Sequence, residues 1–184
     1  MNNYTHKYLK ALTFICTVFF ATGLVRAEDH ALSTIQGTQI DLKSYDHAFA
    51  GSIKDFVAWG SINEEAFTSN LIMRKDGQDV LATFKKNDDG TVGGAIHNEV
   101  GDKKFDTKIS LVKVVPSESK IILNINVEEV AVEIKADSFS NGHFQNPTYS
   151  SNYKGEKVFY TLKGQDCFGY STHLAFLILG AYLH

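Results

Sequence analysis

The chain has 184 residues, 43% of them hydrophobic, with 18 basic against 21 acidic side chains and a formal charge of −3. With only two cysteines and two prolines, it fits one ordinary domain rather than a disulfide scaffold or a disordered tail. Its lysines are scattered singly on a net acidic background, which excludes the electrostatic footprint of a nucleic-acid binder.

The chain opens with an export pattern. Lys7 and Lys10 form a positive start, Ala11 to Val25 is apolar, and Val25-Arg26-Ala27 offers permissive residues at the positions a signal peptidase reads. The apolar run is short for a transmembrane span of about 20 residues. Residues 1–27 are therefore expected to be a signal peptide cleaved after Ala27, with an uncleaved anchor as the alternative. A lipoprotein does not fit, because Cys16 lies inside the apolar run without small neighbours. Removing 27 residues leaves 157 (residues 28–184), one β-rich domain with 15 basic and 21 acidic side chains and a charge of −6. The expected location is secreted or periplasmic.

From Ser33 to Trp59 the pattern is weak, and Tyr45 to Ile53 reads as a short helix or an irregular lead-in. Strands follow. Asp76-Gly77 between Leu71-Ile72-Met73 and Val80 to Phe84 is a hairpin signal. Asn87-Asp88-Asp89-Gly90, Gly101-Asp102 and Pro116-Ser117 mark further turns. Phe105, Thr107, Ile109 and Leu111 share one face, and Ile121, Leu123, Ile125 and Val127 another. Val130, Val132 and Ile134 continue the apolar face on even numbers, so a bulge or very tight turn belongs near Glu128-Glu129. The fold class is mainly β: an antiparallel meander of about seven to nine strands closing as a β-sandwich or small barrel.

Asp137 to Glu156 reads as a long polar loop carrying Phe139, Phe144, Tyr149 and Tyr153. Long loops in small domains often bind, and aromatic rings on a polar frame suit protein or carbohydrate contacts. The competing reading folds these rings back over an open end of the sheet. Leu174 to Leu183 is uncharged. As a helix it would cover only about 15 Å, too short to span a bilayer, so it is a buried helix or a buried strand. A cleaved lipid-anchor tail would also be apolar, but a small-residue attachment site is missing.

Once the signal segment leaves, Cys167 is the only thiol, which excludes an internal disulfide. It stands just before the terminal apolar run, where a helix N-terminus would lower its pKa. His97, His143, His173 or His184 would have to supply a base. The string Asp166-Cys167-Phe168-Gly169-Tyr170 resembles the nucleophile motif of papain-like cell-wall peptidases, in which an Asp-Cys pair begins a helix. The resemblance covers five residues and implies a cysteine nucleophile. Those enzymes carry their histidine after the cysteine, and only 17 residues follow Cys167. A permuted arrangement with an upstream base, such as His143, is the form this chain allows. A buried free cysteine acting as a small hydrophobe is the plainer alternative.

No two histidines sit at the spacing that places both on one face of a strand or helix, so no metal or cofactor is expected. Asn87 to Gly90 lacks the later acidic ligand of a calcium loop. Glu64-Glu65 and Glu128-Glu129 point to opposite faces if they lie on strands, so neither pair can serve as glycosidase acid and base. The functional expectation is an exported, non-catalytic binding module using Phe139, Phe144, Tyr149 and Tyr153 on an unidentified protein or carbohydrate. The alternatives are a Cys167/His143 hydrolase and a small outer-membrane barrel, with membrane association not expected once the signal is removed.

Overall fold

Tight turns set the architecture. In the computed structural model, which describes residues 33–100 and 103–183, two-residue turns at Thr38-Gln39, Asp46-His47, Lys54-Asp55, Asp76-Gly77, Asn126-Val127, Asn141-Gly142 and Lys154-Gly155 reverse the chain. Each holds a residue at positive φ, among them Gln39, Asp46, Lys54 and Asn126. Such turns can join only antiparallel neighbours. Residues 1–27, expected to be a signal peptide and including Cys16, lie outside the described residues, as do His30, the Gly101-Asp102 turn and His184.

The strands are β1 (Ser33–Gly37), β2 (Ile40–Tyr45), β3 (Ala48–Ile53), β4 (Phe56–Asn63), β5 (Thr68–Lys75), β6 (Gln78–Lys86), β7 (Val92–Val100) and β8 (Lys103–Val115). A short 3-10 turn at Pro116–Glu118 leads to β9 (Lys120–Ile125) and β10 (Glu128–Lys135). Then come β11 (Ser138–Ser140), β12 (His143–Gln145), β13 (Thr148–Tyr153), β14 (Glu156–Lys163) and β15 (Gln165–Cys167). Strands β1 to β10 pair in sequence, β10 pairs β13, β13 pairs β14, and β14 closes on β1 to give a twelve-stranded antiparallel barrel. β11, β12 and β15 form a separate three-stranded sheet.

Period-two alternation decides what fills the barrel. Ile40 and Leu42, Leu71 and Met73, Ile121 and Leu123, and Val158 and Leu162 are buried, while Asp41, Asn70, Glu129 and Lys157 are exposed. Gly94 is required where β7 crosses β6, since a Cβ there would lie 1.8 Å from the Thr83 carbonyl oxygen.

The interior is occupied by the chain itself. Cys167 caps α1 (Phe168–Leu174), which runs through a π-helical stretch (Ala175–Leu179) into α2 (Gly180–Leu183). Every residue from Ser171 to Leu183 is buried. A helix that is apolar on all sides needs cover on all sides, which only an enclosed site supplies. The wall contacts confirm the threading. Tyr170 Oη lies 3.4 Å from Ser44 Oγ on β2, and His173 Nδ1 lies 2.9 Å from Ser69 Oγ on β5. Phe176 packs on Phe84 of β6 with ring centres 4.2 Å apart. Gly180 faces Ile109 and Ile96, where a Cβ would come within 2.7 Å of the Ile109 Cδ1. Burying Leu174, Phe176, Leu177, Ile178 and Leu179 contributes on the order of 10 kcal/mol in gross transfer free energy, before ordering entropy.

Several expectations are corrected. Tyr45 to Ile53 is neither helix nor irregular: it is the end of β2, a two-residue turn and β3. The strands outnumber the seven to nine expected, because β1 to β3 belong to the barrel. The segment 137–156 is not a loop but β11, β12, β13 and the start of β14. Val127 does not share the face of Ile125; it sits in the Asn126-Val127 turn and is exposed. That turn produces the shift of phase, and a register irregularity between Leu111 and Lys113 adds a second offset in β8.

Candidate functional site

The side chains with the most chemistry meet at the barrel end where the helix enters. The turn after β2 brings Asp46, and the turn after β4 brings Glu64, shaped by a hydrogen bond from the Ala66 N–H to Asn63 Oδ1 (2.9 Å). β12 brings His143, and β15 brings Gln165, Asp166 and Cys167. These residues, with Ser44 and Tyr170, border a depression of about 370 Å³.

Beneath it lies a buried polar knot. Asp166 Oδ2 accepts from Tyr149 Oη and from Ser171 Oγ (3.0 Å), and the two hydroxyls are 2.7 Å apart. Burial raises the Asp166 carboxyl from its ordinary 3.8 to about 7; the bonds from Ser171 and the Cys167 N–H oppose this, and Glu64 adds to it. Tyr149 also stacks on Tyr160 at 4.6 Å. Deeper in the barrel His173 is fully buried beside Phe67 and Phe84, each 4.9 Å away between ring centres. Burial lowers its pKa from 6.5 to about 4, so it is neutral at physiological pH.

The register of the small sheet places His143 directly opposite Cys167. Their side chains do not bond. His143 Nδ1 is 2.9 Å from the Asn141 carbonyl oxygen, and Cys167 Sγ lies 3.6 Å from Glu64 Oε2. The thiol accepts from the Tyr170 N–H at 3.5 Å as the cap of the helix. Contrary to the lowered pKa expected at a helix start, burial raises it. The Tyr170 and Gly169 N–H groups pull it down, while the Glu64 and Asp166 carboxylates push it up. A thiol held protonated, donating to the Glu64 carboxylate and bonded to no imidazole, is a poor nucleophile. The other candidate bases lie elsewhere: His97 pairs with Asp106 on the outer wall, and His173 is inside the barrel.

The four aromatic candidates divide. Phe139 is exposed, whereas Phe144, Tyr149 and Tyr153 are buried. Phe144 packs against Phe139 and Phe168, each at 4.7 Å. Short strands with inward positions turn these rings toward the core, which removes three of them from any contact surface. Glu64, exposed in the turn after β4, stands beside the thiol. Asp166 carried no role in the sequence reading beyond its place beside Cys167; its signal was an acid next to an apolar helix. Among the described residues no three His, Cys, Asp or Glu side chains converge as a metal-ligand set.

No protein-family model, curated protein or solved structure matches this chain.

Proposed function

We propose that the protein is exported and works in water as a non-catalytic binding module, recognising its ligand on the outside of a plugged barrel. The occupied interior carries this reading. An open barrel of this kind would offer a ligand cavity, but here Ser171 to Leu183 take that space. Recognition is left to the mouth and the outer wall. Export is supported by Lys7, Lys10, the apolar run and Val25-Arg26-Ala27. Work in water is supported by Lys43, Lys108, Glu129, Glu133 and Lys157 on the outer wall, because a lipid-facing barrel turns apolar residues outward. Among the described residues no helix is long and apolar enough to cross a membrane.

The competing hydrolase reading has one observation in its favour, the His143–Cys167 register. Thiol labelling of the folded protein from about pH 5 to 9 separates the two. A binding module gives slow labelling with a midpoint above about 8.5, the free-cysteine value. A midpoint well below that value, with hydrolysis of cell-wall peptides abolished by Cys167→Ser, would overturn the proposal.

A further inference from the structure

Outward positions of the barrel wall are mostly polar or charged, with one concentrated exception. Cross-strand register places Trp59 of β4 opposite Ile72 of β5, Ile72 opposite Leu81 of β6, Leu81 opposite His97 of β7, and His97 opposite Asp106 of β8. One step along the strands, Arg74, Asp79, Glu99 and Lys104 form a parallel row. From Ile72 and Arg74 onward the two rows border a shallow depression of about 500 Å³, within the roughly 300–1,000 Å³ of small-molecule sites, and Trp59 stands at its edge beside Ile72 and Arg74. Trp59 and Leu81 are each 37% exposed.

The charges along this depression are already paired. Arg74 makes a two-pronged bond to Asp79 at 2.7 and 2.6 Å, and its guanidinium stands 5.9 Å from the Trp59 ring centre. Lys104 pairs with Glu99 at 2.5 Å, and His97 Nδ1 lies 2.7 Å from Asp106. Arg74 and Lys104 each have a carboxylate partner, so a charged ligand would have to break a pair to be held. What remains is an apolar floor bordered by ordered donors and acceptors. The floor crosses three strands, roughly 10 Å. That is narrow against the roughly 800 Å² per partner of a stable protein interface.

We infer that this wall binds a neutral oligosaccharide, one pyranose ring lying with its C–H face on the Trp59 indole and its hydroxyls toward the Arg74–Asp79 pair, and a further ring along the row bonding the His97–Asp106 pair. An apolar face edged by hydroxyls matches an apolar floor edged by paired charges. The inference rests on the reading of the chain as a binding module and gives that reading a ligand class.

Trp59 is the only tryptophan of the chain, so its emission reports this wall alone. The chain is titrated with gluco-oligosaccharides of the cello and malto series and with N-acetylglucosamine oligomers. Expected is a saturable emission shift with at least one series, unchanged when salt is raised to about 0.5 M. Calorimetry should show binding weakened about tenfold or more by Trp59→Ala and by Arg74→Ala, with melting temperatures near that of the parent. Silence with all three series overturns the inference, as does binding that survives Trp59→Ala or that salt abolishes. Those failures leave the thiol test untouched, so a lost sugar site and a lost binding reading are told apart: only a low thiol midpoint with Cys167-dependent hydrolysis removes the latter.

Discussion

The ammonium of Lys54 donates to the main-chain oxygen of Tyr182 at 2.9 Å and sits 4.2 Å from the centre of the Tyr182 ring. A turn residue between β3 and β4 thus caps the far end of the helix inside the barrel. The last carbonyls of a helix have no partner within it, and a cation there also meets the negative end of the helix dipole. Lys54→Met is expected to cost about 1 kcal/mol and to speed amide exchange in the last helical turn. Denaturant titration with hydrogen exchange checks this; unchanged exchange at Ala181 to Leu183 would refute it.

Two buried titrating groups set opposing pH dependences. Asp166 is raised from 3.8 to about 7, so it stays protonated in the fold while the unfolded chain ionises. Its contribution is full below about pH 4 and is lost as pH rises to about 7, at about 1.4 kcal/mol per unit. His173 is lowered from 6.5 to about 4, so its contribution is present above 6.5 and is lost as pH falls to about 4. Between those limits the two slopes nearly cancel. Asp166→Asn should therefore leave stability rising from pH 4 to 6.5, and His173→Gln should leave it falling over the same window. Equal slopes in the two variants, measured by urea unfolding, would show that neither group titrates as its burial dictates.

The aromatic residues of segment 137–156 should separate by burial. Phe144→Ala and Tyr149→Ala are each expected to cost about 3–5 kcal/mol, and Phe139→Ala well under half of that. Tyr149→Phe removes a donor from the buried Asp166 and should cost about 1–3 kcal/mol. Thermal unfolding of the four variants checks the order. A Phe139 variant as unstable as the Phe144 variant would contradict it.

The helix plug is tested from both sides of its packing. Phe176→Ala leaves a cavity beside Phe84 and should cost about 3–5 kcal/mol. Gly180→Val overfills the contact with Ile109 and Ile96 and should cost about 1–3 kcal/mol. If calorimetry finds both near zero, the helix is not held by the barrel wall.

The β character was legible because alternation is local: Ile121 to Ile125 and Val130 to Ile134 show it within a few residues, and Asp76-Gly77 names its own turn. Asp46-His47, Lys54-Asp55 and Thr38-Gln39 were not legible as turns. They place ordinary side chains at positive φ, which pays off only once the flanking strands are paired. β2 and β3 were missed with them. The placement of Cys167 at a helix start could be read from the chain. Its raised pKa could not, since that depends first on burial in the folded mouth of the barrel and then on Glu64, brought beside it from 103 residues away.

Barrel rather than sandwich was settled by one long-range strand pairing, β1 with β14, from Thr34 opposite Lys163 to Gly37 opposite Tyr160; no local pattern encodes a closure between strands so far apart. The terminal run had to be buried, because ten uncharged residues have no other stable place in water. Helix rather than strand was fixed by the barrel, whose closed hydrogen-bond ladder has no edge to offer another strand. A chain segment inside it must bond its own backbone, and a helix does so.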